Sequence, residues 1–218
     1  MAATLVFAAL IATPLVAATL QAPQPKGALY NPRDYPQSAM RNDEMGVARI
    51  RVTVSPKGKP IDCAVIYSSD TESLDKASCA VMLARGSYTP AQDATGQPLY
   101  GVVRRLVSWS FGLSSANHRA FEERNQPSDI DIIVTVTALP AGLVAPVAVI
   151  ADVLVTPTGQ IADCNADAGG AVPVELAQLA CVQAKALSHA MPAVDPTGVA
   201  VMSVQQIKLA FITEPAAK

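Results

Sequence analysis

The sequence has little of what most enzymes and nucleic-acid-binding proteins require. It contains only two histidines in 218 residues, and neither His118 nor His189 has a matched catalytic partner in the sequence. Aromatic residues make up 5% of the chain, and no basic patch is interleaved with them, as a nucleic-acid-binding surface would need. The G-x-S-x-G, H-E-x-x-H and glycine-rich phosphate-loop motifs are absent. We therefore expect no enzymatic activity, no cofactor or metal, and no nucleic-acid partner.

Charge is missing from the first 25 residues, and Lys26 is the first charged residue. Residues 5–18 form an apolar run that Pro14 interrupts, and the small residues at positions 16–18 suit a signal peptidase site. We therefore predict a signal peptide over residues 1–18. Residues 1–20 only just reach the roughly 20 apolar residues that span a bilayer. A retained N-terminal anchor is the first alternative and a buried core helix the second, and we expect export with either a signal peptide or an anchor.

What the sequence does contain is an internal repeat. Each copy has a turn segment that ends in a cysteine, a second cysteine sixteen or seventeen residues later, and a P-A-x-D-x-T-G segment eleven residues after that. The positions are 55–63, Cys79 and 90–96 in the first copy, and 156–164, Cys181 and 192–198 in the second. Self-similarity over about 50 residues indicates two homologous tandem domains. Asp93 and Asp195 resemble paired acids, but each lies in a D-x-T-G turn that an Asx-turn explains.

The cysteines are expected to form disulfide bonds. Four cysteines in an exported chain usually pair, and the repeat favours Cys63–Cys79 and Cys164–Cys181, one bond in each copy. Each bond closes a loop of about 15 residues, which stabilises the fold by about 3 kcal/mol in the chain-entropy model. Metal binding is the alternative, but this spacing without a nearby histidine is unlike a zinc site. A redox role would favour Cys-x-x-Cys, which does not occur.

The hydrophobic pattern predicts one ββαβ unit in each copy, with an antiparallel sheet and a helix on one face. For the first copy we predict strands at 47–54, 61–67 and 99–111 and a helix at 72–85, capped by Ser69 or Asp70 and ended by Gly86. For the second copy we predict strands at 148–155, 161–165 and 199–211, a helix at 174–187, and an extra strand at 129–137. Residues 114–128 between the copies are expected to form a short helix and linker.

Several of these residues carry a family resemblance. Tyr35-Pro36-x-x-Ala39, Gly46-Val47, Gly58, Ser68-Ser69, Leu74-Asp75, Pro90-Ala91 and Gly96 resemble the C-terminal domain of TonB. TonB is the energy transducer that couples the inner membrane to outer-membrane transporters, so the resemblance implies a periplasmic protein. It covers about residues 33–111. Residues 140–212 keep only the glycine, the cysteines, Pro192-Ala193, Asp195 and Gly198, and resemble a degenerate second domain.

The predicted organisation follows from the repeat and the resemblance. Residues 1–18 are the signal peptide or anchor, 19–32 a short linker, 33–113 the TonB C-terminal-like domain, 114–128 a linker and 129–214 the degenerate domain. In TonB a long proline-rich spacer precedes the domain, whereas residues 22–31 reach only about 30–35 Å when fully extended. That segment is too short to bridge the periplasm.

The resemblance implies a sheet edge that accepts an extended peptide as an added strand. We expect the third strand of the first copy to supply this edge. The predicted partner-binding residues are Tyr35, Pro36, Val103, Arg104, Arg105, Leu106 and Val107. As alternatives, the two arginines protect the edge against aggregation, with their side chains on opposite faces, and Tyr35-Pro36 is a turn that anchors the first short helix.

The expected partner is a peptide segment of an outer-membrane transporter or of another envelope protein, and a homodimer is also consistent with the resemblance. We predict a binding or adaptor protein. Two alternatives remain open: a genuine energy transducer in transmembrane transport, and an envelope structural protein whose tandem domains pair through their sheet edges.

Overall fold

The computed structural model describes residues 19–27, 30–166, 172–187 and 189–213. The signal peptide or anchor predicted over residues 1–18 lies outside these described residues. Within them, no helix has both the length and the apolar character needed to cross a membrane.

The first copy has the predicted strand–strand–helix–strand order. Its elements are β1 Gln24–Pro25, α1 Gln37–Arg41, β2 Gly46–Val54, β3 Pro60–Tyr67, α2 Glu72–Arg85, β4 Tyr88–Thr89, β5 Ala91–Gln92 and β6 Pro98–Trp109. β2 pairs antiparallel with β3 on one side and with β6 on the other. Leu74 and Met82 of α2 are fully buried against Ile50 and Val52 of β2. Burial of these apolar side chains holds the helix to one face of the sheet.

The second copy repeats this order. Its elements are α3 Ser115–Asn125, β7 Ile132–Val136, β8 Val147–Val155, β9 Ile161–Asn165, α4 Val174–Leu187, β10 Ala193–Val194, β11 Ala200–Val201 and β12 Ser203–Thr213. β8 pairs antiparallel with β9 and β12, and Leu176 of α4 packs on a core that includes Val153 and Phe211. The predicted α+β fold class is confirmed.

Most predicted boundaries agree with the structure to within two residues. The third strand of the first copy ends at Trp109 rather than at residue 111. The strand predicted over 199–211 is interrupted at Met202, and the strand predicted from residue 129 begins only at Ile132. The helix predicted between the copies is present as α3.

The N-cap of α2 differs from the prediction. It is Thr71 rather than Ser69 or Asp70, and Thr71 makes no capping hydrogen bond through its side chain. Instead, Asp75 in the first turns of the helix accepts hydrogen bonds from the Ser69 N–H at 2.8 Å and from the hydroxyls of Ser68 and Ser69. A carboxylate near a helix N-terminus also interacts favourably with the helix dipole. The carboxylate of Asp75, inside the helix, therefore holds Ser68 and Ser69 in place just before the helix begins.

The two copies use the same local turns. Gly58 and Gly159 have positive φ angles of 75° and 84°, and their carbonyls accept hydrogen bonds from the N–H of Tyr88 and Ala190 at 2.9 and 3.1 Å. A Cβ at either glycine would clash with the carbonyl oxygen of Tyr88 or Ala190. The turn after β2 and the turn after β8 therefore both require glycine.

The disulfide bonds are those predicted from the repeat. Cys63 is bonded to Cys79 and Cys164 to Cys181, and the Cα atoms are 5.6 Å apart in both pairs. Each bond joins the second strand of a unit to its helix. The described residues contain no free cysteine.

The two units share one continuous sheet, which the sequence did not predict. The strand order is β3-β2-β6-β12-β8-β9, and β6 and β12 join the units as parallel neighbours. This pairing is short, from Tyr100 opposite Ser203 to Val102 opposite Gln205. β7 pairs in parallel with the later part of β12. β5 pairs antiparallel with β6, so the sheet has eight strands in all. It is mixed, although β2, β3 and β6, like β8, β9 and β12, remain antiparallel.

The helices α2 and α4 lie on opposite faces of this sheet. Val102 is opposite Thr53 of β2, on the face turned away from α2. In β12, the neighbour of Val102 is Gln205. Gln205 and Ile207 lie on the same face of β12, because alternate residues of a strand share a face, and Ile207 belongs to the core under α4. The face turned away from α2 is therefore the face that carries α4. A rotation of about 180° around an axis parallel to β6 and β12 therefore relates the two units.

The segment predicted as a linker over residues 19–32 is partly folded into the molecule. Leu20 and Ala22 are each 2% exposed and pack with Ala91 and Val204, at the junction of the two units. β1 pairs antiparallel with β4. We call residues 19–25 the N-terminal strap, because they cross the junction on the face that carries α2.

Candidate functional site

The free part of β6 is the candidate site for strand addition. β2 covers one side of β6 from Gly101 to Trp109. On the other side, the pairing with β12 ends at Val102, and no strand within the described residues pairs with β6 there from residue 103 to 109. Unpaired backbone groups on a sheet edge are a template for another strand. We call residues 103–109 the open edge of β6.

An ion pair lies at the fork where β6 separates from β12. The Arg104 guanidinium forms a bidentate ion pair with Asp131, and Nη2 is 2.6 Å from Oδ2. The same nitrogen donates to the Gln206 carbonyl at 3.2 Å. Asp131 also accepts a hydrogen bond from the Lys208 N–H at 2.7 Å. Bidentate arginine–carboxylate pairs have a fixed geometry, so this pair sets where the open edge begins.

The predicted partner-binding residues of β6 are divided between the two faces. Val103, Arg105 and Val107 are on the face that carries α2, where Val107 is 3% exposed. Arg104 and Leu106 are on the other face and line a cleft. Arg105 lies near two tyrosines, Tyr30 and Tyr88. Burial raises the pKa of both tyrosines, and the positive charge of Arg105 opposes that rise. The two arginines therefore have different surroundings.

Tyr35 and Pro36 lie at the end of β6, and Tyr35 is 9% exposed. The Tyr35 ring packs edge-on against Trp109 and Phe111, with ring centroids 5.5 and 5.3 Å apart. Its hydroxyl donates to the Glu44 carbonyl at 2.6 Å, and Pro36 precedes the first residue of α1. These contacts are those expected if the pair anchors the first short helix to the core.

A cleft on the face opposite α2 adjoins the open edge and was missed by the sequence analysis. Its volume is about 620 Å³. Its charged walls combine four basic residues with two acidic ones, namely Arg49, Arg51, Arg104, Lys208, Asp129 and Asp131. We call it the cationic cleft. The alternation of Arg49 and Arg51 along β2 was the one signal in the sequence, since it places both side chains on one face.

The other polar residues considered from the sequence have structural contacts. Asp93 Oδ1 accepts hydrogen bonds from the Thr95 N–H, the Thr95 hydroxyl and the Gln97 N–H at 2.8, 2.6 and 3.0 Å. Asp195 makes the same three bonds in the second copy. The hydroxyl of Thr95 is the main cause of the lowered pKa of Asp93. Both acids therefore close turns.

His118 lies between Ser110 and Glu122. Its Nδ1 is 2.7 Å from the Ser110 hydroxyl and its Nε2 is 3.4 Å from Glu122. These contacts join the end of β6 to the first turns of α3. Among the described residues, no group of three or more histidine, cysteine or acidic side chains is arranged to hold a metal ion.

The fold and the open edge define a class of small, disulfide-bonded α+β domain with one sheet edge left unpaired. Residues 31–113 match the family model described as Gram-negative bacterial TonB protein C-terminal, so this part of the chain is similar to that family. Its domains are periplasmic, non-enzymatic interaction domains that bind outer-membrane transporters. No curated protein and no solved structure matches the chain.

Proposed function

We propose that this protein is a periplasmic adaptor that binds an extended peptide by strand addition at the open edge of β6. The peptide belongs to an outer-membrane transporter or to another envelope protein. The observation that carries the proposal is the end of the β6–β12 pairing at Val102, within a TonB C-terminal domain. The backbone groups of the added peptide would provide the affinity and the side chains around the edge the selectivity.

The surroundings of the edge support this proposal. The ion pair between Arg104 and Asp131 fills the fork, so an added strand would begin just beyond it. Leu106 lies on the cleft face and offers an apolar contact beside the edge. Val107 belongs to the core of the first unit and Val103 packs against it, so these side chains hold β6 to the face that carries α2.

We also propose that residues 33–113 and 129–214 are two homologous domains and that the second is a degenerate TonB-like domain. The shared element order, the matching glycine turns and the equivalent disulfide bonds support this division. In the second domain, β7 pairs beside β12 from Leu209 to Thr213. The later part of the counterpart of the open edge is therefore covered in the second domain, which favours the first as the binding domain.

The N-terminal strap favours an adaptor over an energy transducer. A transducer needs a long free spacer before its C-terminal domain, but residues 19–25 are packed into the junction of the two units. The Ala22 N–H donates to Asp152 at 3.0 Å, and the Leu20 carbonyl accepts a hydrogen bond from Asn165. These contacts hold residues 20–22 against the second unit, so the segment directly before the domain does not act as a free spacer.

Binding of synthetic transporter peptides to the purified protein tests the proposal. We expect calorimetry to detect binding of an N-terminal segment of a transporter from the same bacterium. The same peptide with alternate backbone nitrogens methylated should bind at least about tenfold more weakly, because each lost hydrogen bond costs about 0.5–1.5 kcal/mol. Equal affinity of the two peptides, or no binding by any transporter peptide, would refute strand addition.

A protein variant complements the peptide series. Arg104→Glu breaks the ion pair with Asp131 and places two acids at the fork, so the affinity for the peptide should fall about tenfold. Lys57→Glu is the matched control, because Lys57 is an exposed residue of the turn between β2 and β3. An equal effect of the two substitutions would show that net charge, and not the fork, controls binding.

A further inference from the structure

The rotation that relates the two units also relates two grooves across their junction. The N-terminal strap occupies the groove on the face that carries α2. It is held at three places: β1 pairs with β4, the Ala22 N–H bonds to Asp152, and Leu20 and Ala22 pack on Val204. The strap is therefore an extended segment seated on both units at once.

The counterparts of these three places line the cationic cleft on the opposite face. Asp152 of β8 pairs with β12 as Arg51 of β2 pairs with β6, so these two residues occupy equivalent positions. By the same comparison of strand pairs, Val204 of β12 is equivalent to Val102 of β6. The equivalent glycine turns match Tyr88 of β4 with Ala190. Arg51, Val102 and Ala190 all line the cleft. The cleft is thus built on the same plan as the groove that holds the strap.

Among the residues that the structure describes, none forms an equivalent strap in the cleft. The residues that precede the second unit at the corresponding distance, 120–126, lie at the end of α3 and just after it. Within the described residues no strand pairs with residues 189–191, although Gln126 and Asp129 contribute to the cleft wall. A cavity of about 620 Å³ remains where a strap would lie.

The charges of the cleft differ from those of the strap groove. Arg51 takes the place of the acid that holds the strap, and it lies directly opposite Arg104, a like-charge pairing that destabilises a sheet. Arg104 and Lys208 are paired with Asp131 and Asp129. Within the described chain no carboxylate lies within ion-pair distance of Arg49 or Arg51, so the cleft has an excess of two positive charges.

The guanidinium groups of Arg49 and Arg51 are held in place by backbone oxygens. Arg49 donates to the carbonyls of Ser128 and Pro127 at 2.6 and 3.0 Å. Arg51 donates to the carbonyls of Met191 and Pro192, both at 3.0 Å and both through Nη2. Arg51 has five N–H donors in all, so others remain for a ligand. Desolvation lowers the pKa of both arginines, but they stay charged at neutral pH.

We propose that the cationic cleft is a second docking groove, which takes an acidic extended segment of a partner protein. The segment would lie along residues 189–191 as the strap lies along β4, with its carboxylates on Arg49 and Arg51. This groove is on the sheet face, whereas the open edge of β6 is in the sheet plane. The inference therefore stands whether or not the open edge accepts a peptide.

Fluorescence anisotropy with a labelled probe peptide tests the inference. The probe is a short peptide in which glutamate alternates with valine, and its control replaces every glutamate with lysine. We expect the glutamate peptide to bind, the lysine peptide not to bind, and the affinity to fall as salt is raised. No binding of the glutamate peptide, or equal binding of both peptides, would overturn the inference.

A variant of the cleft locates the site. Arg51→Glu should weaken binding of the glutamate peptide about tenfold or more, which corresponds to at least about 1.4 kcal/mol. Lys57→Glu makes the same charge change outside the cleft and should leave the affinity within about twofold. Equal losses in the two variants would refute the assignment, because they would show that net charge controls binding.

A measurement on the unchanged protein covers the case in which Arg51→Glu fails to fold. A benzophenone group on the glutamate peptide should cross-link to residues 189–191 or to β2, as mapped by mass spectrometry. Cross-links confined to the outer edge of β3, or to the open edge of β6, would overturn the inference. Binding to vesicles of anionic lipid without any binding of the peptide would also overturn it, because a membrane would then be the partner.

Discussion

Asp152 shows how one side chain links the two units. Its Oδ2 accepts a hydrogen bond from the N-terminal strap, and its Oδ1 accepts one from Gln206 at 2.9 Å. Desolvation by burial raises the pKa of Asp152, while the hydrogen bonds from Gln206 and Ala22 act in the opposite direction. The net shift is upward, so the folded protein binds this proton more tightly than the unfolded chain does.

The pH dependence of stability follows from that shift. A raised pKa in the folded state favours folding at low pH, and this contribution is lost as pH rises from the unfolded value through the folded one. Asp152→Asn removes the titration, so the free energy of unfolding of the wild type should fall relative to that of the variant as pH rises above about 4. Urea titrations at several pH values measure the difference, and a difference that does not change with pH would contradict this account.

Some individual residues were assigned correctly from the sequence, and others were not recognised. The cysteine pairs and the turn acids followed from the repeat, because each depends on neighbours within a short stretch of chain. Arg49 and Arg51 were not recognised as part of a site, since the cleft walls come from both units. Asp131, which pairs with Arg104, is 27 residues away in sequence, and no local pattern marks such a partner.

At the level of elements, each unit is a hairpin, a helix and a long strand held together by one disulfide bond. The bonds have sequence separations of 16 and 17 residues. Both join the second strand of a unit to its helix, where a core of aliphatic side chains already holds the two together. The two bonds therefore have equivalent roles.

Loss of either disulfide bond should destabilise the protein to a similar extent. The chain-entropy model gives about 3 kcal/mol for a loop of this length. We expect the paired substitutions Cys63→Ser with Cys79→Ser, and Cys164→Ser with Cys181→Ser, to lower the free energy of unfolding by about that amount each. Denaturant titration measures the change. A negligible loss for one pair would contradict the equivalence of the two units.

The long elements were predictable from hydrophobic periodicity and turn residues, and α2, α4 and β9 have the predicted bounds. The short strands β1, β4, β5 and β10 were not predicted, because two residues carry no periodic signal. Their partners are decided by the tertiary fold. The same reason explains the break in the last strand at Met202, where the chain changes neighbours.

At the scale of the whole molecule, the two units form one sheet with a helix on each face. Three residue pairs between β6 and β12 make the join, and the buried strap covers it on one side. Such a contact between distant segments leaves no pattern in the sequence. It decides the function proposed here, because it covers the beginning of β6 and leaves residues 103–109 open.

The most direct test of this account is an NMR titration of the isotope-labelled protein with a transporter peptide. We predict that the amide resonances of residues 103–109 shift on binding, and that contacts appear between their backbone and that of the peptide. β3, the outer strand of the same unit, should be unaffected. Shifts confined to β3 or to the second unit, with residues 103–109 unchanged, would contradict strand addition at the open edge.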